Sequence, residues 1–153
     1  MAFGAVFVPD FSLQAVGRSE PALRNRPFVL VDGPAPIFRV IAVNRLACQL
    51  GVTPGLTKAA AAEFPGVEIR LRRKEQEEAA HAALLDAAWS VSPRVEDTAV
   101  DTVLVDLAGL AALFGSYQNI AQQLMSRCSA LGLDVHVAIS ANVETARVLA
   151  RAR

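Results

Sequence analysis

The sequence predicts an α+β fold: a ferredoxin-like core, with helices on one face of an antiparallel sheet, and a small lobe inserted after the first strand. Outside residues 14–73, the segments read strand, helix, strand, strand, helix, strand, helix, which is the split βαβ order. Hydrophobic residues make up 53% of the 153 residues and charged residues 20%, which suits one filled core and excludes a disordered chain. We therefore expect residues 1–13 and 74–153 to form the core and residues 14–73 to form the lobe.

The core begins with an apolar run, Phe3 to Val8, which closes at Pro9 and Asp10. A continuous apolar run of this length is typical of a strand buried on both faces, and its end presents Asp10. The next core segment is a helix from Lys74 to Trp89, with glutamates in its first turns. Its predicted buried stripe consists of Leu84, Leu85, Ala88 and Trp89. The remaining core segments are an antiparallel strand pair at Val95–Thr98 and Val103–Leu107, a helix Tyr117–Leu131, a strand Asp134–Ile139 and a helix Asn142–Arg153. Leu110, Leu113 and Phe114 are expected in the core.

The inserted segment carries turn and cap signals between short apolar runs. Two strand-like runs, Phe28–Val31 and Phe38–Val43, flank Asp32-Gly-Pro-Ala-Pro36 and predict a hairpin with a long loop. Asn44 is placed to cap a short helix that ends at Gly51. A second short helix is predicted over Thr57–Glu63, because Pro65-Gly66 stops it.

Charge is divided unevenly along the chain, although the net charge is zero. Residues 18–74 hold ten Lys and Arg against four Asp and Glu, a net of +6, and the rest holds five against eleven, a net of −6. A basic lobe beside an acidic body suits a protein that faces polyphosphate. Solvated arginines on an alanine-rich surface would give the same count.

Several classes of protein are excluded or disfavoured. No apolar run reaches the roughly 18 to 20 residues of a membrane span, and no basic region precedes the apolar N-terminus, so we expect a cytoplasmic protein without a membrane partner. Cys48 and Cys128 are far apart and are expected to be buried thiols rather than a disulfide or zinc ligands. His81 and His136 stand beside no nucleophile pattern and are expected to be structural.

Five blocks occur in the order and at the spacing of one known family. They are Pro9-Asp-Phe-Ser-Leu-Gln-Ala-Val16, Asn44-Arg-Leu-Ala-Cys-Gln-Leu-Gly-Val-Thr-Pro-Gly55, Pro93-Arg-Val-Glu96, Val100-Asp-Thr-Val-Leu-Val-Asp-Leu-Ala-Gly109 and Ala138-Ile-Ser-Ala-Asn142. In combination they resemble the Y-family (UmuC/DinB-like) translesion DNA polymerases. The resemblance implies that the core is the palm and the insertion is the fingers. It also implies that the thumb and little-finger domains of that family are absent from this chain.

The departures from the family pattern concern its metal site. Members with polymerase activity use a carboxylate at the end of the first strand and an Asp-Glu pair on the central hairpin to hold two metal ions, which stabilise the attacking and leaving oxygens. By resemblance these positions are Val8, Asp101 and Thr102, and a second strand-end carboxylate is Asp10. Valine does not ligate, and a neutral hydroxyl replaces a carboxylate poorly around Mg²⁺. We therefore expect no intact catalytic set and no cofactor. Mg²⁺ at Asp10 and Asp101 is expected only if residual polymerase activity exists.

The expected nucleotide and DNA contacts are also reduced. By resemblance, Asn44 and Arg45 are the candidate nucleotide-binding residues, while the family's sugar-gate aromatic, triphosphate arginine and late lysine fall on Leu13, Cys48 and Val143. Arg39, Arg72 and Arg73 are candidate DNA-binding residues. The Ile69–Lys74 cluster to which two of them belong could contact phosphates or could be a solvated junction.

This combination is similar to the catalytically inactive ImuB type within the family. That resemblance implies an adaptor in DNA repair, translesion synthesis and SOS mutagenesis. Its implied partners are DNA in the longer protein, the sliding clamp, an ImuA-like protein and an error-prone replicative-type polymerase. Two alternatives stay open: an active, degenerate Y-family polymerase fragment that uses Asp10 and Asp101, and a ferredoxin-like module that binds proteins only.

Overall fold

The computed structural model describes residues 2–152, and the strands within that range form two sheets. In chain order the elements are β1 (Phe3–Phe7), α1 (Phe11–Ser19), a 3-10 helix (Pro21–Asn25), β2 (Phe28–Asp32), β3 (Arg39–Val43), α2 (Arg45–Gln49), α3 (Lys58–Ala62), β4 (Glu68–Leu71), α4 (Lys74–Trp89), β5 (Val95–Ala99), β6 (Thr102–Asp106), α5 (Ala111–Phe114), α6 (Tyr117–Ala130), β7 (His136–Ser140) and α7 (Val143–Ala152). The predicted end of the last helix at Arg153 lies outside the described residues.

The palm sheet has four strands in the order β5-β6-β1-β7, and all its pairings are antiparallel. β1 lies in the centre, where Phe7 pairs with Thr102 on one side and with His136 on the other. The two outer connections cross over through α4 and α6, which gives the split βαβ topology. The predicted α+β, ferredoxin-like fold class is confirmed.

One detail differs from the prediction that helices cover a single face. On one face of the sheet, Val6, Val8 and Val103 join the apolar cluster formed by α1, α4 and α6. On the opposite face Ala5, Leu104 and Ala138 pack with alanines of α7. Ala5 and Ala138 leave space on this face, so a helix that carries alanines four residues apart, Ala146 and Ala150, can approach closely.

The fingers sheet is formed within the inserted segment, in the order β3-β2-β4. The predicted hairpin is confirmed, because β2 and β3 pair antiparallel. β4 pairs parallel to β2 and was not predicted, since its sequence Glu-Ile-Arg-Leu is short and half charged. Val29, Val31 and Val40 form a separate apolar cluster in this lobe.

α1 joins the two parts of the chain and had no counterpart among the predicted helices. It starts directly after Asp10, whose backbone is left-handed at φ 49° and ψ 49°. Phe11 and Ala15 pack into the palm cluster, and Leu13 and Val16 pack into a cluster with Phe28 of β2. The predicted boundary between residues 13 and 14 falls inside this helix.

Three side chains that were expected in the core lie at the surface instead. Trp89, the last residue of α4, is 52% exposed, and Leu113 in the four-residue helix α5 is 79% exposed. Cys48 is exposed because α2 buries only Ala47. All three belong to helix ends or very short helices, where too few turns exist to define a buried face by periodicity. Cys128 is buried, as predicted.

Candidate site at the palm strand ends

The end of β1 and the start of β6 meet directly. The backbone N–H of Val8 donates to the carbonyl oxygen of Asp101 at 2.8 Å, and Phe7 pairs with Thr102 in the sheet register. Three of the positions that the sequence singled out, Val8, Asp101 and Thr102, are thereby brought to one end of the palm sheet.

Val8 and Thr102 are inaccessible to solvent at this point. Val8 is 0% exposed and belongs to the apolar palm cluster, while Thr102 is 1% exposed. The Thr102 hydroxyl donates to Oδ1 of Asp101 at 2.9 Å. A buried hydroxyl is stable only when it is hydrogen-bonded, so Thr102 is a satisfied structural partner of Asp101.

A basic side chain, Arg151 of α7, stands beside this carboxylate. Its Nη2 donates to the Thr102 hydroxyl oxygen at 3.2 Å and lies 3.6 Å from Oδ1 of Asp101. Its guanidinium carbon lies 4.8 Å from the centre of the Phe7 ring, within the range of a cation–π interaction. Arg151 was not among the predicted site residues, because nothing in a helix sequence shows which strand end the helix reaches.

The residues at the strand ends do not fit the metal site of the polymerases. Within residues 2–152, no group of three or more His, Cys, Asp or Glu side chains is arranged to hold a metal ion. By the sequence resemblance, two of the three metal-ligand positions carry no carboxylate, and the third, Asp101, is already paired with the guanidinium of Arg151. Magnesium prefers charged oxygen ligands in near-octahedral geometry, which Val8 and Thr102 cannot supply.

Asp10 lies in a different environment, a cleft of about 510 Å³. Residues of α1, the 3-10 helix, α2 and the loop before β7 line this cleft, and they include Leu13, Asn44 and Arg45. The structure therefore brings the predicted nucleotide-binding residues together with Asp10, while the Asp101 carboxylate faces Arg151.

The side chain of Asn44 forms hydrogen bonds that join α2 to the start of β2. Its Oδ1 accepts from the backbone N–H groups of Phe28 and Ala47, at 3.0 and 2.9 Å, and its Nδ2 donates to the carbonyl of Arg26 at 2.7 Å. It caps α2, as predicted, and ties that helix to the start of β2. Arg45 is exposed and forms no salt bridge within residues 2–152, so its guanidinium is one accessible cation at the cleft. Arg24, which also lines the cleft, donates to the carbonyl oxygen of Gly132.

The predicted DNA-contact residues gather at one end of the fingers sheet. Arg39 pairs with Asp32 in the strand register, and Arg72 forms an ion pair with the same Asp32 at 3.7 Å. Arg72 also makes hydrogen bonds of 2.6 and 3.0 Å to Glu77, which raise the pKa of the guanidinium. Arg73 is exposed directly before α4. Arg39 and Arg73 are thus exposed charges, whereas two carboxylates balance the charge of Arg72.

A neighbouring basic residue, Arg70, is neutralised in the same way. It forms hydrogen bonds to both carboxylate oxygens of Glu20 and one to Glu68. These hydrogen bonds raise the pKa of Arg70, and the one from Arg70 lowers the pKa of Glu20. Two arginines of the inserted segment, Arg70 and Arg72, are therefore charge-balanced by carboxylates within the protein.

Both histidines make contacts within the protein. Nδ1 of His81 lies 2.8 Å from the Val100 carbonyl oxygen, and its Nε2 lies 3.0 Å from Oδ1 of Asp97. His81 thus fastens α4 to the turn that leads into Asp101. Nδ1 of His136 lies 3.3 Å from the carbonyl oxygen of Ala150, and its ring packs against Phe7.

The palm topology, the inserted fingers sheet and the cleft beside Asp10 together define a Y-family polymerase-like palm and fingers. The chain belongs to the impB/mucB/samB family, whose family model matches residues 6–151. No curated protein gives a significant sequence match. No helix within residues 2–152 is long and apolar enough to cross a membrane.

Solved structures support the same assignment of the fold. An insertion ternary complex of Dbh DNA polymerase matches with a TM-score of 0.78 and 19% identity, over 99% of this chain and 46% of that chain. DinB from Sulfolobus solfataricus matches with a TM-score of 0.76 and 19% identity, over the same shares. A Y-family DNA polymerase chimera built on Dbh matches with a TM-score of 0.73 and 20% identity, over 99% and 46%. This chain spans less than half the length of these polymerases.

Proposed function

We propose that this chain is a non-catalytic, Y-family-polymerase-like adaptor of the ImuB type, acting in DNA repair and translesion synthesis during induced mutagenesis. The observation that carries the proposal is the replacement of two metal-carboxylate positions by the buried Val8 and Thr102. Phosphoryl transfer to a primer end needs metal ions that stabilise both the attacking and the leaving oxygen. Asp101 alone does not supply that arrangement.

The partners belong to this proposal and are those that the ImuB-type resemblance implies. DNA is expected to contact the exposed Arg39 and Arg73 and, at the cleft, Arg45. The sliding clamp, an ImuA-like protein and an error-prone replicative-type polymerase are the expected protein partners. In this view the palm is kept for its shape, and synthesis is carried out by the partner polymerase.

The test is a titration of Mn²⁺ and a nucleoside triphosphate into the chain, followed by calorimetry, beside Asp101→Ala. The adaptor predicts no heat above that of Mn²⁺ with free nucleotide for either protein. Saturable binding that disappears in Asp101→Ala would favour the alternative, an active but degenerate polymerase fragment. Metal-dependent primer extension by a longer form of the protein, abolished by Asp101→Ala, would refute the adaptor proposal.

DNA affinity distinguishes the adaptor from the second alternative, a module that binds proteins only. Phosphate contacts release counterions, so DNA binding must weaken steeply as salt rises. A double variant, Arg39→Ala with Arg73→Ala, is expected to weaken binding and to reduce the salt slope. Arg72→Ala is the comparison, because two carboxylates already balance the charge of this arginine. The substitution also breaks the ion pairs of Arg72 with Glu77 and Asp32. No measurable affinity at low salt would favour the protein-only module.

A further inference from the structure

We propose that the guanidinium of Arg151 takes the place of a divalent cation beside Asp101 and keeps metal ions away from the palm strand ends. The inference deepens the proposed function and rests on it, since it concerns the same metal-deficient strand ends. It assigns a role to a residue of α7 that the polymerase motifs do not include. That role is to balance the charge of the remaining carboxylate permanently.

The Asp101 carboxylate is partly buried and needs a cation beside it. Its side chain is only 25% exposed, and its neighbours Val8 and Thr102 are buried. A partly desolvated carboxylate is costly unless a positive charge or several hydrogen bonds compensate it. Arg151 supplies the charge at 3.6 Å, and the Thr102 hydroxyl supplies a hydrogen bond at 2.9 Å.

Three separate contacts hold the guanidinium of Arg151 beside Asp101. It donates to Thr102, it faces Asp101, and it lies over the ring of Phe7. An ordinary surface ion pair lacks such support and contributes little. The same helix offers the comparison: Arg147 pairs with Glu144 at 3.4 Å, where the arginine is 35% exposed against 47% for Arg151, but the carboxylate is 76% exposed against 25% for Asp101.

A guanidinium differs from a metal ion as the cation beside Asp101. A guanidinium keeps its charge at all accessible pH values and, being covalently attached, cannot be removed by a chelator. A metal ion approaching Asp101 must therefore displace Arg151 or tolerate a like charge a few ångströms away. Either route lowers the affinity of the carboxylate for a divalent ion.

The test uses paramagnetic broadening of backbone amide signals by Mn²⁺ alone, which detects weak and localised binding. In the unchanged chain, Mn²⁺ is expected to cause no selective broadening at Val8, Asp101 and Thr102. In Arg151→Gln, the apparent affinity at these signals is expected to rise at least about tenfold, the lower end of the effect of a neighbouring unit charge on a carboxylate equilibrium. Adding Asp101→Asn to that variant should abolish the broadening. The spectra themselves report whether each variant is folded.

Two matched variants separate this role from a general effect of losing an arginine. Arg147→Gln removes a charge one turn earlier on α7 and should behave like the unchanged chain. Arg151→Lys keeps the positive charge and should largely restore metal exclusion, which a merely structural contact would not require. Selective broadening in the unchanged chain, or an Arg151→Gln variant with the same response as the unchanged chain, would overturn the proposal.

Failure of this inference can be distinguished from failure of the adaptor function. Primer extension tests the adaptor proposal, whereas Mn²⁺ broadening tests the role of Arg151. If Arg151→Gln leaves the broadening unchanged and the protein still incorporates no nucleotide, only the role of Arg151 is wrong. If metal-dependent incorporation is observed, the adaptor proposal is wrong whatever Arg151 does.

Discussion

The backbone N–H of Val8 donates to the carbonyl oxygen of Asp101 at 2.8 Å, so the two strand ends that the sequence resemblance assigns to the family's metal site are joined directly. The sheet register continues this contact, because the residues beside them, Phe7 and Thr102, form the next pair. The strand pairing is thus regular at this point, and the departure from the family pattern that the resemblance predicts concerns the side chains of Val8 and Thr102.

Val8→Asp restores a carboxylate to the first strand but should destabilise the protein. Val8 is 0% exposed and lies in the apolar cluster of the palm, and an uncompensated buried charge costs about 3–5 kcal/mol. Urea unfolding at neutral pH measures the change. Val8→Asn, which has the same size without the charge, is the control and should lose less. Equal stability of Val8→Asp and the unchanged chain would show that this position still accommodates a carboxylate.

Asn44→Ala should weaken the connection between α2 and β2. The substitution removes hydrogen bonds to Phe28, Ala47 and Arg26, and the expected loss in unfolding free energy is about 1–3 kcal/mol. Thr57→Ala removes only the cap of α3, the bond from the Ala60 N–H to the Thr57 hydroxyl, and should cost about 1 kcal/mol. Chemical unfolding of both variants makes the comparison. A smaller loss for Asn44→Ala than for Thr57→Ala would contradict the linking role of Asn44.

The two cysteines should differ strongly in reactivity. Cys48 is exposed, whereas Cys128 is buried and burial raises the pKa of its thiol to about 11. Since the thiolate is the reactive form, a thiol reagent at pH 8 should modify one cysteine quickly and the second only on unfolding. Mass spectrometry of peptides identifies the modified residue, and Cys48→Ser is the control that should remove the fast phase. Rapid labelling of Cys128 in the folded protein would contradict its buried position.

The ion pair between Glu20 and Arg70 should make stability depend on acid pH. The hydrogen bond from Arg70 lowers the pKa of Glu20 below its ordinary value of 4.5. A carboxyl whose pKa is lower in the folded state contributes stability above its unfolded pKa, and this contribution is lost as the pH falls through the folded pKa. Glu20→Gln should therefore reduce stability at pH 7 and flatten its decline between about pH 5 and 3.

Urea unfolding across this pH range tests the prediction, and Glu63→Gln offers a matched control. Glu63 lies at the end of α3 and forms no salt bridge within residues 2–152. A decline of the same steepness in Glu20→Gln and in the unchanged chain would exclude a contribution from this pair.

Much of the fold could be predicted because local sequence patterns were sufficient for most elements. The observed α4, Lys74–Trp89, has its predicted bounds, and Asn44 caps α2 as its position indicated. α1 was missed because no element was predicted between the strand end at Asp10 and Pro21, whereas the helix starts immediately after the left-handed Asp10. β4 was missed because its stability comes from parallel pairing with β2, a contact that the residues of β4 do not reveal.

Only some features of the candidate site could be predicted from the sequence. The sequence showed that Val8 and Thr102 lack carboxylates, and the family motifs indicated that they meet Asp101. It did not show that Asn44 also forms hydrogen bonds with the backbone of Phe28 and Arg26, or that Asp32 and Glu77 balance the charge of Arg72. These partners are distant or non-periodic in sequence, so they become neighbours only when the lobe is folded.

The sequence by itself predicted the order of the strands and helices of the palm apart from α1 and the short α5, the family and, by resemblance, the loss of two metal carboxylates, because these follow from residue types and their spacing. The tertiary structure alone decided that α7 covers the second face of the palm sheet and brings Arg151 to Asp101. The apolar run of β1 indicated two covered faces, but it did not show which helix covers each. Which helix covers a face depends on how its side chains pack against those of the sheet. Arg151 and Asp101, fifty residues apart in sequence, therefore become neighbours only in the folded protein.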